Sequence, residues 1–163
     1  MIPNDIQFTT DIDRLSEQLE TVYRDLVIGI NGDISQWEPD VYGTGSAGST
    51  TYVHRSGWVW RRGLLVQLWL DIQWSSASGS GDLAISLPYR VLESDNQPFV
   101  GFFENRSGID FSAGYTYLTW RAETNTFQST VRENGDNVSS QAISLPSSGR
   151  LIGYLTYIGQ EYE

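Results

Sequence analysis

Carboxylates and tryptophans are the residues of this chain best equipped to act on a ligand. Asp71, Asp82, Asp95, Glu104 and Asp110 fall between residues 71 and 110. Two carboxyl groups flanking a glycosidic bond can hydrolyse it, one as acid and the other as base or nucleophile. Asp71 stands on the polar side of an alternating strand pattern. The other four sit in sequence rich in Gly, Ser or Asn, where solvated loop acids account for them. His54 is the single histidine and lies beside Arg55. One histidine excludes zinc sites that need two, and with no G-x-S-x-G turn a strand histidine reads as structural. There is no cysteine, hence no disulfide and no thiolate metal site. There is no lysine either, which removes Schiff-base chemistry and the P-loop lysine. Gly43-Thr44-Gly45-Ser46-Ala47-Gly48 spells G-x-G-x-x-G, but that fingerprint requires a strand before it and a helix after it. Here Trp37-Glu38-Pro39 precedes and a strand through Thr51, Tyr52 and Val53 follows, so a flexible loop is expected. These residues predict no enzyme, no metal and no cofactor.

The aromatic residues offer binding rather than catalysis. Six Trp and nine Tyr are enough to stack on sugars, yet aromatics at alternate strand positions usually build a core. In "WVWRRGLLVQLWLDIQW" the even positions Trp58, Trp60, Leu64, Val66, Leu68, Leu70, Ile72 and Trp74 are apolar. That period of two predicts a strand on each side of a turn near Arg62-Gly63, with Trp58, Trp60 and Trp74 in the core. Trp69 is out of phase. It is expected to face solvent or a neighbouring subunit, as an interface residue or a glycan contact.

Two kinds of element must position these side chains. In "DIDRLSEQLETVYRDLVIGING" apolar residues recur at Ile12, Leu15, Leu19, Val22 and Leu26, the a/d spacing of a coiled coil. The pattern predicts a helix over 11–28, about 27 Å long. Its narrow apolar stripe favours association with copies of itself over the alternative, an amphipathic helix lying on its own β domain. Beyond residue 35, "LAISL", "FVGFFE", "YTYLTWRA", "FQSTVR", "QAISL" and "RLIGYLTYI" read as strands, and Asn134-Gly135 is the strongest hairpin signal. AISLP occurs at both 84–88 and 142–146. Each copy puts Ile and Leu on one face and ends a strand with a proline. Their flanks differ, which argues for one structural device used twice rather than a duplication. The net charge is -10. Residues 1–40 supply -7 of it, from nine Asp/Glu against two Arg. Such a chain repels nucleic acid, and no apolar run is long enough for a membrane span. The start lacks the regions of a signal peptide. Asn105-Arg106-Ser107 and Asn137-Val138-Ser139 spell glycosylation sequons, with nothing else in the sequence to give them a secretory context.

One ordered set of residues is familiar. Trp37 and Pro39 are followed by a Gly/Ser loop from Gly43 to Ser49, then Tyr52, Gly57, Arg61 and Gly63. An alternating strand from Val66 to Trp74, a loop from Ser78 to Gly81, and Leu87-Pro88-Tyr89 complete the set. This stretch resembles the β knob at the ends of many bacteriophage tail fibres and related virion proteins, over about a third of the chain. The resemblance implies a homotrimeric, non-enzymatic virion protein. With it, the expected fold is mainly β: an antiparallel sandwich or barrel knob over 35–163. A short N-terminal helix and linker over 11–34 would form a trimeric coiled coil. Residues 1–10 would be an anchoring arm, with Ile2, Pro3, Ile6 and Phe8 as its apolar contacts. With no long shaft in view, the leading expectation is a head-fibre or capsid-decoration protein on the outer surface of a phage particle, bound to the major capsid protein or another virion component. The alternative is the receptor-binding tip of a tail fibre or spike, touching host glycans through loops 43–50, 75–82 or 105–113. Neither reading involves nucleic acid or membrane insertion.

Overall fold

The computed structural model describes residues 14–23, 32–93 and 98–160. Residues 14–23 form helix α1, inside the span the heptad spacing predicts. Ten strands follow: β1 (Asp33–Trp37), β2 (Val41–Gly43), β3 (Thr50–Arg62), β4 (Leu65–Ala77), β5 (Leu83–Ser86), β6 (Phe99–Ser107), β7 (Tyr117–Ala122), β8 (Gln128–Asn134), β9 (Gln141–Ala142) and β10 (Gly149–Ile158). Every neighbouring pair is antiparallel.

The strands make one continuous sheet in the order β1-β3-β4-β10-β6-β7-β8-β5-β2, with β9 also on β8. A sandwich would need two separate sheets. Here a single sheet curls into a half-barrel and covers its own inner face, as strong twist makes large sheets do. Bulges assist the bend, one near Tyr52–His54 on β3 and one where β6 meets β10 between Ile152 and Gly153. The core fills the concave side with Val66, Leu68, Leu70, Ile72 and Trp74 of β4, Leu151, Leu155 and Tyr157 of β10, and Trp120 of β7. Trp120 is fully buried; its Nε1 donates to Ser129 Oγ at 2.5 Å, and that hydroxyl donates on to Ile85 O at 2.7 Å. Trp74 Nε1 donates to Pro146 O at 3.1 Å.

The core assignment of Trp58 and Trp60 is corrected. Trp74 is buried as expected, but Trp58 is 46% exposed and Trp60 is half-buried on the same outer face. The cause is the hairpin. Gly63 and Leu64 form a two-residue turn with Arg62 opposite Leu65, and Gly63 takes φ 56°. An even position on β3 therefore faces an odd one on β4: Trp58 opposes Trp69, Val59 opposes Leu68, and Trp60 opposes Gln67. Opposed residues share a face, so a two-residue turn inverts the parity of the core positions. Val59 takes the buried place instead.

Two turn expectations also change. Asn134 ends β8, but β9 pairs back only at Gln141, so the connection runs over 135–140 and Asn137 takes the left-handed φ of 61°. The 43–48 loop is held rather than free. Gly45 N–H donates to Ser80 O at 2.9 Å, Ser80 N–H donates to Ser46 O at 3.0 Å, and Thr44 N–H donates to Asp82 O at 3.0 Å. A Cβ on Gly43 would lie 2.2 Å from Ser80 O, so the zipped loops require glycine there. The strand after it, β3, replaces the helix a dinucleotide site would need.

The two AISLP copies lie on one edge of β8. Ala84 and Ile85 pair with Thr130 and Ser129, and Ala142 pairs with Arg132 further along the same edge. Leu83 N–H donates to Ile143 O at 2.8 Å, joining the copies end to end.

Candidate functional site

Helix α1 presents Leu15, Leu19 and Val22 to solvent at 57%, 67% and 63% exposure. These are three of the five predicted seam positions. Ile12 and Leu26, and the arm residues Ile2, Pro3, Ile6 and Phe8, lie outside the described residues.

A cleft of about 430 Å³ opens between β2, β3 and β5. Tyr42, Tyr52 and Thr50 wall it, with Asp40 and Ser86 at its lip. The chain folds this way because β2 is pinned on both sides. Val41 pairs with Ile85, and its N–H donates to Tyr52 Oη at 2.8 Å. Asp40 N–H donates to Ser86 Oγ at 2.8 Å, while Thr50 Oγ1 donates to Val41 O at 2.8 Å. The Arg55 guanidinium bonds Asp40 Oδ1 at 2.6 Å and also Glu38, and lies over the Tyr52 ring at 4.7 Å. Two carboxylates thus absorb one cation, leaving the rim acidic. Burial, and then the Asp40 charge, push the Tyr42 phenol above its ordinary range, so it stays a neutral O–H donor. Aromatic walls with a few convergent donors and acceptors suit an uncharged hydroxylated ligand.

The convex outer face carries a different surface. The β3–β4–β10–β6 pairings align Trp58, Trp69, Tyr154 and Phe102 in one row across four strands. All four are 42–48% exposed, and the Phe102 and Tyr154 rings lie 6.2 Å apart, tilted by 48°. Trp69 is thus an outward residue at the centre of a row that sequence alternation broke up. The missing signal was the turn length at Gly63-Leu64, which was legible and sets the parity.

The acids named from the sequence take different places among the described residues. Asp71 accepts two bonds from Arg150, at 2.7 and 3.0 Å, with His54 Nε2 3.8 Å away. Those Arg150 bonds outweigh partial burial and hold Asp71 below the usual carboxylate range. Asp82 sits in the zipped loop, Glu104 and Asp110 are exposed, and Asp95 lies outside the described residues. Among the described residues no three His, Asp or Glu gather as a metal site. Glu133 is a carboxylate that sequence reasoning missed. It is 2% exposed and lines a polar cavity of about 340 Å³ with Asp110, Ser112 and Gln141. Burial disfavours its charge, but bonds from Gln141 Nε2 at 2.6 Å and Ser112 N–H at 2.9 Å outweigh that and hold its pKa below the usual value. A general acid near neutral pH needs the opposite shift. Of the three loops expected to bind, 43–50 and 75–82 meet in the zipper beside the Tyr42 cleft, while 105–113 packs elsewhere, Ser112 on Glu133.

A curled antiparallel sheet of this kind is found in a phage tail protein. The fold is similar to that in the crystal structure of Dettilon tailspike protein (gp208), with a TM-score of 0.56 and 18% identity. The match covers 76% of this chain and 23% of that one, so the likeness spans under a quarter of the tailspike and is one of fold. No family model matches the sequence, and no curated relative does.

Proposed function

We propose that this chain is a non-enzymatic structural protein of a bacteriophage virion, belonging to a homotrimeric spike on the outer surface of the particle. The observation that carries the reading is the fold shared with part of a tailspike. A role without catalysis fits Asp71 and Glu133, both kept as fixed, hydrogen-bonded anions. The heptad seam on α1, exposed within one chain, fits association with further copies. We favour the tail over the capsid-decoration placement. The decoration reading depends on residues 1–10 gripping a capsid protein, and these lie outside the described residues. Labelling intact particles with antibody against the β domain tests both placements. Label on the tail is expected. Label over the shell would restore capsid decoration, and particles without label would remove the chain from the virion.

The Tyr42–Tyr52 cleft favours one further reading, contact with host surface glycan. Its acidic rim and the net charge of -10 select a neutral saccharide over a polyanion. Purified protein should then label host cells and compete with adsorption, and Tyr42→Ala should abolish both. Labelling indifferent to that change would exclude the cleft.

A further inference from the structure

We propose that the convex face of β3, β4, β10 and β6 is a contact between copies of this chain, with Trp58, Trp69, Tyr154 and Phe102 at its centre. The inference rests on the homotrimer reading and gives it a surface on the β domain. Three observations choose this occupant.

The first is charge. Copies carrying -10 each repel one another, so they can meet only where acid is absent or neutralised. On one side of the aromatic row the ladder aligns Ile34, Trp60, Gln67 and Thr156; on the other it aligns Ser56, Asp71, Ile152 and Asn105. These positions hold one carboxylate, Asp71, and Arg150 neutralises it with two bonds. Glu104, the extra residue at the β6 bulge, is an exposed second carboxylate between the Phe102 and Asn105 positions, on the last of the four strands. The face is a charge-poor window in an acidic molecule. Exposed Trp, Tyr and Phe with paired charge are also what interface centres select.

The second is shape. The outside of a curled sheet is convex, whereas small ligands are taken up in concave sites such as the Tyr42 cleft.

The third is area. Four strands at about 4.8 Å and three rows at about 6.8 Å give, with their side chains, a patch on the order of 400 Å². A stable interface needs about 800 Å² from each partner. The face supplies roughly half, and the exposed seam of α1 is a second apolar surface on the same chain. β1, the first strand after that helix, brings Ile34 beside Trp60 at 65% exposure, so the apolar surface reaches the strand nearest α1 in sequence. Neither surface alone suffices, and changes in either should weaken the assembly.

Sedimentation of the full chain decides it. Trp69→Glu should raise the dissociation constant at least tenfold, while Phe127→Glu, on an equally exposed ring outside this face, should leave it unchanged. Leu19→Asp reports on the helix seam separately. An intact trimer in Trp69→Glu, with Leu19→Asp dissociated, overturns this inference and spares the homotrimer. A wild-type chain that sediments as a monomer at micromolar concentration overturns both. If Trp69→Glu lowers the melting temperature of the dilute monomer, Tyr154→Ser is read by the same criterion.

Discussion

Glu133 shows how one residue can depend wholly on its neighbours. It sits fully buried with each carboxylate oxygen accepting one hydrogen bond, from Gln141 Nε2 and from Ser112 N–H. Its folded pKa is therefore depressed from the ordinary 4.5, despite burial. A depressed acid contributes stability that is full above the unfolded value and is lost as pH falls through the folded one. Acid unfolding of the wild type should accordingly steepen below about pH 4.5. Glu133→Gln should flatten that limb, since it removes the titrating group. It should also cost about 1–3 kcal/mol at pH 7, because the amide keeps one acceptor oxygen and turns a donor toward one of the two N–H groups that the carboxylate satisfies. Chemical denaturation at several pH values checks both effects. An unchanged acid limb would mean that other carboxylates, Asp71 among them, carry the pH dependence. Nothing in the residue pattern around Glu133 distinguished it from a solvated strand acid. Its partners come from 21 and 8 positions away along the chain and are brought to it only by the sheet.

At the scale of elements, strand identity was far more legible than strand facing. The six segments read as strands beyond residue 80 each overlap one, because alternation and turn residues are local signals. The short strands β1 and β2 escaped notice. They are held by β3 and β5 across the chain rather than by their own pattern. Gly57 makes this dependence testable. The Trp37 ring from β1 lies over it, and a Cβ there would come 2.3 Å from Trp37 Nε1. Gly57→Ala should displace Trp37 and loosen β1 at a cost of about 1–3 kcal/mol, the usual range for overpacking. Hydrogen exchange should quicken in the β1 amides while those of β4 stay protected. Equal protection in both strands would show that Trp37 relaxes without cost.

For the whole molecule, the governing fact is that an acidic chain presents a charge-poor aromatic face. Self-association must overcome repulsion between copies at -10 each, and salt screens that repulsion. Raising ionic strength from about 0.05 M to about 0.5 M, where the Debye length falls to a few ångströms, should tighten the assembly several-fold. Sedimentation across that range measures it. Weakening with salt would indicate a contact held by ion pairs, which the aromatic face does not offer.

By itself the sequence determined the class of the molecule: a heptad helix ahead of an antiparallel β domain, without cysteine, lysine or a second histidine. Composition and local periodicity reach that far, because each is a property of neighbouring residues. The homotrimer and the virion role are proposals that start from an ordered resemblance, and the likeness to a tailspike segment is one of fold. Only the tertiary structure decided what faces outward. Trp58 and Trp69 had opposite expected fates and share one exposed row, because a two-residue turn aligns even positions with odd ones. Tyr42, Tyr52, Asp40 and Ser86 form a cleft because long-range pairing carries β2 onto β5. Binding surfaces on a sheet are assembled across strands, perpendicular to the chain, and that direction is set by register and connection length.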